Sequence, residues 1–318
     1  MEQRKLIKLG NSSFAIALPK VWVDKSGLKK GDNIFIEQNN NGRLVVSPSP
    51  TDKSTNKETI ISVDNKDKDS LKKEIRAAYI KGYTSLLIKN IPDKQAKDTV
   101  KKILDEFLSF ELIDSNEKEI TAKDFFSLED TTHISFIRRM DNNIREIFEI
   151  VMAELKKDKI NSQKIREIDE IDKDINKFYF LVSRIFLRGI DNPSILTKLK
   201  TDSTKLFNDW WFSFNLESLA DGLKNFLKSA QQVESQPMKT SLHELFLQIR
   251  EAYIKVIESY YKEDAELALQ TMGMTKKIAE GLKKIEKENS DACRLINDID
   301  RIKRTIYQNA KMVSYMRI

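Results

Sequence analysis

Short apolar runs separated by turn residues fill the start of the chain, which predicts small strands and tight turns. Residues 6–9 and 14–18 are two such runs, and the polar cluster at 10–13 lies between them. Pro19 suits the first position of a short helix because its fixed φ and missing N–H cost nothing there. Gly27 can end that helix in a left-handed conformation. The pattern predicts a hairpin followed by a two-turn helix.

A second hairpin is predicted directly afterwards. Residues 33–37 and 43–47 have strand patterns, and the segment Asn39-Asn40-Asn41-Gly42 between them is a strong hairpin signal. Two small hairpins and one short helix cannot enclose a core, since a unit of about 50 residues is marginal as a monomer. We therefore expect residues 1–48 to form a homodimer in which two copies interleave their strands.

After a polar linker at 49–57, the pattern changes to that of a small α/β domain over residues 58–127. One helix is predicted to begin at Asp69 or Ser70 and end near Gly82, and a second is predicted to begin at Pro92. Strand-like runs occupy residues 59–63, 84–88, 110–113 and 119–121. The domain shows no phosphate loop, histidine or cysteine, and we interpret it as a connector or a small-ligand sensor.

From about residue 128 to the end, apolar residues recur every three or four positions, which predicts six long amphipathic helices. The third is expected from about 194 to 233, with Pro237 as a break. Two sets of three helices, 128–236 and 237–318, predict two packed bundles. His133-x-x-Phe136 recurs as His243-x-x-Phe246, which indicates an internal duplication. The expected fold class is multidomain α+β, mostly α.

Composition limits the cellular setting. The chain of 318 residues is 33% charged and 40% hydrophobic, and it contains no apolar run of the length that a membrane span needs. Its start lacks a signal-peptide pattern. The single cysteine, Cys293, excludes an intrachain disulfide and a cysteine-based zinc site. A cytoplasmic protein without membrane insertion is expected.

Charge is concentrated at the N-terminus. Residues 1–50 hold eight basic and four acidic residues, a net charge of +4 out of +6 for the whole chain. Basic residues gathered on a small module suggest contacts with phosphates, and a two-fold dimer matches a two-fold site on double-stranded DNA.

This N-terminal segment resembles the AbrB/SpoVT swapped-hairpin DNA-binding family, in the form found in archaeal regulators. The matching positions are Arg4-Lys5, Lys8-Leu9-Gly10, Ser12-Ser13, Leu18-Pro19-Lys20, Trp22, Gly27-Leu28, Lys30-Gly31-Asp32 and Gly42. The resemblance implies that Arg4, Lys5 and Lys8 face DNA, with Lys20 as a further candidate. The alternative is that these side chains are only a solvated face and the module merely dimerises.

Carboxylates are the candidate ligands in the helical part. The predicted second helix carries Glu170, Asp172 and Asn176, and the third carries Glu217 and Asp221. Residues four apart share a helix face, so each helix presents a pair of oxygen-bearing side chains. Such groups suit magnesium, manganese or iron. Like charges this close are costly unless a cation lies among them. The alternative is an acidic face that is only solvated.

Two three-helix repeats with these acidic pairs resemble PhoU, the phosphate-uptake regulator family. The resemblance implies a metal cluster on the acids of residues 170–176 and 217–221, and it implies phosphate homeostasis as the function. The chain departs from the family at Asn176, where an acid is usual. The second repeat lacks the acids near residues 270–274 and has an arginine within 298–304 where an acid would stand.

Three functions follow as hypotheses. The first is a DNA-binding transcription regulator whose helical part senses a signal or binds a partner. The second is a protein-interaction regulator of a phosphate transporter or a kinase, in which the N-terminal module only dimerises. A metal-dependent enzyme is the weakest, because no nucleophile or histidine base accompanies the acids, and we expect no enzyme. His133, His243, Cys293 and the aromatic cluster at 210–214 are interpreted as structural.

Overall fold

The N-terminal module forms two separate hairpins and one short helix. The computed structural model describes residues 2–38, 42, 44–49, 57–126, 132–288 and 292–316. In this module the elements are β1 (Ile7–Leu9), β2 (Ser13–Ala15), α1 (Lys20–Lys25), β3 (Phe35–Gln38) and β4 (Leu44–Ser47). β1 pairs antiparallel with β2, and β3 pairs antiparallel with β4, but the two pairs form two different sheets. The hairpin segment predicted at 39–42 lies outside the described residues except for Gly42.

Gly27 and Gly42 adopt the left-handed backbone conformations that the sequence patterns require. Gly27 has φ of 68° and follows α1, whose last turn is closed by a hydrogen bond from the Leu28 N–H to the Val23 carbonyl. Gly42 has φ of 73° beside β4. Pro19 precedes α1 as its capping residue and does not occupy the first helical position.

The middle domain is a four-stranded sheet with two helices. Its elements are β5 (Glu58–Ser62), α2 (Lys68–Ile80), β6 (Ser85–Lys89), α3 (Lys94–Leu104), β7 (Phe110–Ser115) and β8 (Ile120–Asp124). The strand order is β5-β6-β8-β7, with β5 and β6 parallel and the other pairs antiparallel. Both helices are capped by aspartates: the Asp67 side chain accepts from the Ser70 N–H, and the Asp93 side chain accepts from the Ala96 N–H. The predicted caps Asp69 and Ser70 are therefore wrong by two or three positions.

Within the described residues from 132 onward, the chain forms six long helices and one short one. They are α4 (His133–Leu155), α5 (Ser162–Asp191), α6 (Pro193–Lys198), α7 (Ser203–Ala230), α8 (Gln236–Lys262), α9 (Ala265–Glu288) and α10 (Cys293–Tyr315). α7 packs against α4, α5 and α10, whereas α8 packs against α4, α9 and α10. The chain as a whole is multidomain α+β and mostly helical.

The single helix predicted over 194–233 is wrong, because the structure divides it into α6 and α7. Lys200 adopts a left-handed φ of 51°, which ends α6, and the Asp202 side chain then caps α7 by accepting from the Lys205 N–H. Pro237 does not break a helix either. It lies in the first turn of α8, where its missing N–H costs nothing.

One buried arginine joins the middle domain to the helices. Arg184 on α5 is fully buried, and its guanidinium pairs with the Asp124 carboxylate at the end of β8. The same guanidinium donates to the backbone carbonyls of Tyr79 and Tyr83, the latter at 3.0 Å. A buried ion pair that is also hydrogen-bonded to the backbone holds the two units in one arrangement. No helix among the described residues is long and apolar enough to cross a membrane.

Candidate functional site

The N-terminal module exposes its apolar residues. No side chain that the structure places within residues 2–49 is buried, and Val21, Leu6 and Phe14 are 67%, 67% and 61% exposed. Exposed apolar side chains are ordinary when scattered singly, but here they make up the strands and the helix of an entire unit. The single chain therefore leaves this module without a core.

The predicted DNA-facing residues are all exposed. Lys8 lies at the centre of β1 opposite Phe14 of β2, so its side chain points away from the face that carries Ile7 and Leu9. Lys5 precedes β1, and Lys20 is the first residue of α1. These three lysines have no ion-pair partner within the described ranges, whereas Arg4 pairs with Glu2 at 3.0 Å. A set of exposed cations with few internal partners is available to phosphates.

The five candidate ligands of α5 and α7 lie on neighbouring helices, and four of them, including Asn176, come together. The Asn176 side chain donates to the Asp172 carbonyl at 2.9 Å and to its carboxylate at 3.3 Å. Asp221 is bridged to Asp172 by a lysine, and Glu217 is a near neighbour whose pKa responds to both carboxylates. Glu170 stands apart: its side chain is 72% exposed and pairs with Lys173.

Lys224 is the residue that sequence reasoning missed. Its Nζ lies 2.6 Å from Asp172 Oδ2 and 2.7 Å from Asp221 Oδ1, so one ammonium group joins α5 to α7. Arg301 of α10 adds a second cation, 3.9 Å from Asp221. Burial, which disfavours the charged lysine, is outweighed by these two hydrogen bonds, and the pKa of Lys224 lies above its usual value. The signal in the sequence was the spacing of three between Asp221 and Lys224.

The carboxyl group of Glu217 is poised to titrate near neutral pH. Burial is the main cause, and the nearby charges of Asp221 and Asp172 add to it, raising the pKa of Glu217 to about 7. Arg301 and Lys224 oppose the shift without cancelling it. At neutral pH this side chain is close to half protonated.

A metal cluster does not fit the residues present. The ammonium of Lys224 already stands between the two carboxylates that would have to share a metal ion. Within the described part of the chain, no three His, Cys, Asp or Glu side chains are arranged to hold a metal. One oxygen of the set, Asp172 Oδ1, is buried without a hydrogen-bond partner. A divalent or iron-type metal at this face stays a prediction from the sequence resemblance.

A family model described as antidote-toxin recognition MazE, bacterial antitoxin, matches residues 7–54. The match covers the N-terminal module and leaves the middle domain and the helices unmatched. It supports the swapped-hairpin module and is consistent with a DNA-binding regulator or an antitoxin. No curated protein and no solved structure gave a significant match.

Proposed function

We propose that the chain is a DNA-binding transcription regulator that binds double-stranded DNA as a dimer through residues 1–48. The observation that carries this proposal is an N-terminal module in which none of the described side chains is buried and basic residues are exposed beside apolar ones. Burying apolar surface stabilises by about 25 cal/mol per Å². The simplest way to bury the exposed apolar side chains of this module is to pair it with the same module of a second chain. The interleaved dimer then has the two-fold symmetry of a palindromic DNA site.

Phosphate contacts are assigned to Arg4, Lys5, Lys8 and Lys20. All four are exposed, and the three lysines have no carboxylate partner in the described structure that a phosphate would have to displace. In a dimer both chains contribute these four residues, so the DNA-binding face of the dimer carries twice the positive charge of one chain. Binding through phosphates releases counterions, and the affinity should therefore fall steeply with salt.

The test is an electrophoretic mobility shift of genomic fragments by the full chain at low and moderate salt. Replacing Arg4, Lys5 and Lys8 together by Ala should weaken binding by about tenfold or more, since phosphate contacts supply most of the affinity. The matched control replaces Lys25, Lys29 and Lys30 by Ala, which removes the same three positive charges from other positions of the same module. Equal binding by the test variant and the native chain would contradict the proposal.

A second candidate is protein recognition by the same module. The description of the matching family names toxin recognition, and this supports an antitoxin-like role in which a toxin, not DNA, covers part of the module. A related alternative is a protein-interaction regulator of a phosphate transporter or kinase in which the module only dimerises. A dimer in solution that ignores duplex DNA at low salt would favour these alternatives over the first.

The helical part is proposed as a sensor or partner-binding region in phosphate homeostasis, without a catalytic role, in a cytoplasmic protein. What supports this is the resemblance between the acidic pairs of the helical sequence and those of the PhoU family. Genome-wide mapping of bound DNA in phosphate-replete and phosphate-starved cells is the test. Occupancy should change near genes of phosphate transport, and identical maps would contradict the phosphate link while leaving DNA binding intact.

A further inference from the structure

Two stripes of side chains run next to each other on the outer side of the helical part. On α7 the outward positions follow the spacing four-three-four, and they are Phe207, Trp211, Phe214 and Ser218. On α10 the same spacing is repeated by Asn297, Arg301, Arg304 and Gln308. Residues at these spacings share one face of a helix. The first stripe is mostly aromatic, and the second consists of hydrogen-bond donors.

The two helices run antiparallel, so the C-terminal end of the α7 stripe meets the α10 stripe. Asn215 of α7 donates a side-chain hydrogen bond of 2.9 Å to Asn309 of α10, and Ile302 lies against Gly222 further along. The place where they meet is a groove of about 440 Å³. Phe214 and Ser218 form one wall, and the α10 stripe forms the other. Pockets for small ligands typically have volumes of about 300–1,000 Å³.

Hydrogen-bond donors in the groove remain available to a ligand. The side-chain amides of Asn297 and Gln308 have no hydrogen-bond partner in the described structure. Arg301 is 51% exposed, and its closest carboxylate, Asp221, lies at 3.9 Å, which is too far for a hydrogen bond. Arg304 is 73% exposed and pairs only with Asp300. Each guanidinium has five N–H donors, so most of them remain available.

Asp300 also lines the groove, and its charge is already matched. Its carboxylate pairs with Lys303 at 2.5 Å and with Arg304. Burial would raise the pKa of Asp300, but these two cations hold it below its usual value. The aspartate therefore orients Arg304, whereas Arg301 makes no hydrogen bond to a carboxylate in the described structure and lies 3.9 Å from Asp221.

The aromatic wall offers a flat face. The ring of Phe214 is 37% exposed, and its centroid lies 5.7 Å from that of Trp211. α7 is otherwise enclosed by its neighbours, and this stripe is where its apolar surface reaches solvent. Stacking of a planar ring on such a side chain contributes roughly 1–3 kcal/mol in nucleic-acid complexes, which corresponds to about 5- to 150-fold in affinity.

We propose that this groove binds a nucleoside monophosphate, with the base on Phe214 and the phosphate between Arg301 and Arg304. Guanidinium groups match the oxygens of a phosphate in a planar, two-pronged arrangement. Asn297 and Gln308 are placed at either end of the arginine pair to bond the sugar or the edge of the base. The site is independent of DNA binding by the N-terminal module, so either function can fail without the other.

The experiment titrates AMP, GMP, CMP and UMP into the full-length protein, with calorimetry and tryptophan fluorescence as readouts. At least one nucleotide should bind with a Kd below about 1 mM. Adenosine, ribose 5-phosphate and inorganic phosphate each lack one part of the ligand and should bind about tenfold more weakly or worse. If no nucleotide binds, or if inorganic phosphate binds as tightly as the best nucleotide, the proposal is overturned.

Variants locate the site. Arg301→Ala with Arg304→Ala removes the phosphate contacts, Phe214→Ala removes the stacking face, and each should weaken binding by about tenfold or more. Arg250→Ala, an exposed arginine on α8, and Phe207→Ala, an exposed ring two turns along α7, are the matched controls and should bind as the native chain does. Circular dichroism verifies that each variant is folded. Unchanged binding in both groove variants would overturn the assignment.

Discussion

Every long helix of the C-terminal part contributes buried side chains, whereas no side chain placed within residues 2–49 is buried. The helices complete a core within one chain, and the middle domain is fastened to them by Arg184. The N-terminal module has strands and turns of good local geometry but no second layer. Local structure is therefore specified in both regions, but only the helical part buries its apolar side chains without a partner chain.

The largest effect is expected where the helices meet the middle domain. Arg184→Met should lower the free energy of unfolding by about 3–5 kcal/mol, because it leaves the Asp124 carboxylate buried without its cation. Chemical denaturation measures the loss, and it should be the same at every protein concentration. Arg250→Ala, which breaks the exposed pair with Glu149, is the control and should cost less than about 1 kcal/mol. A loss of similar size in the two variants would contradict the central role of Arg184.

The second effect concerns the N-terminal module and depends on concentration. Phe14→Ser should weaken the proposed dimer by roughly 1.5–3 kcal/mol per chain, because the ring becomes buried only when a second copy covers it. Analytical ultracentrifugation measures the dissociation constant. Leu247→Ser on α8, which removes another exposed apolar side chain, should leave that constant unchanged. If Phe14→Ser also leaves the dissociation constant unchanged, the module does not bury its apolar residues by dimerisation.

A smaller loss of stability is expected where Lys224 joins Asp172 to Asp221. Lys224→Met should destabilise the chain by about 1–3 kcal/mol, since the Asp172 side chain is only 9% exposed and would lose its cation. Lys228→Met, one turn later on the same helix, removes an exposed pair with Asp169 and should be nearly neutral. Thermal unfolding measures both. Chelators should leave the melting temperature of the native chain unchanged. A drop in melting temperature on chelation would indicate a bound metal, which the position of Lys224 between the two carboxylates argues against.

The smallest effect is a pH dependence from Glu217. Its pKa of about 7 in the folded chain exceeds the ordinary glutamate value of 4.5, so folding favours the protonated form. The associated stability is fully present below the unfolded pKa and is lost as pH rises through about 7. Glu217→Gln should therefore gain about 1–2 kcal/mol over the native chain at pH 8 and nothing at pH 4. Glu170→Gln, at an exposed position, should show no such difference between the two pH values.

Local signals in the sequence anticipated much of the fold. Turn residues and apolar spacing predicted both hairpins, the four strands of the middle domain and six long helices. The break between α6 and α7 was missed because Lys200 carries no turn signal. Its left-handed conformation accompanies a hydrogen bond from the Thr201 N–H to the Leu196 carbonyl, which closes the end of α6. The candidate DNA-facing positions were predicted from the resemblance to the AbrB/SpoVT family, and the acidic pairs were predicted from their spacing along the helices. Lys224 was missed as a bridge because its partner Asp172 lies on a different helix.

Periodicity, charge and turn chemistry are properties of neighbouring residues, and they alone determined the helices, the strands and the basic start of the chain. The tertiary structure decided which side chains meet across elements. It placed an ammonium group between two carboxylates, buried one arginine between two domains, and aligned an aromatic stripe with an arginine stripe. The physical reason is that burial and ion pairing depend on distances between helices, and no spacing along a single helix encodes those distances.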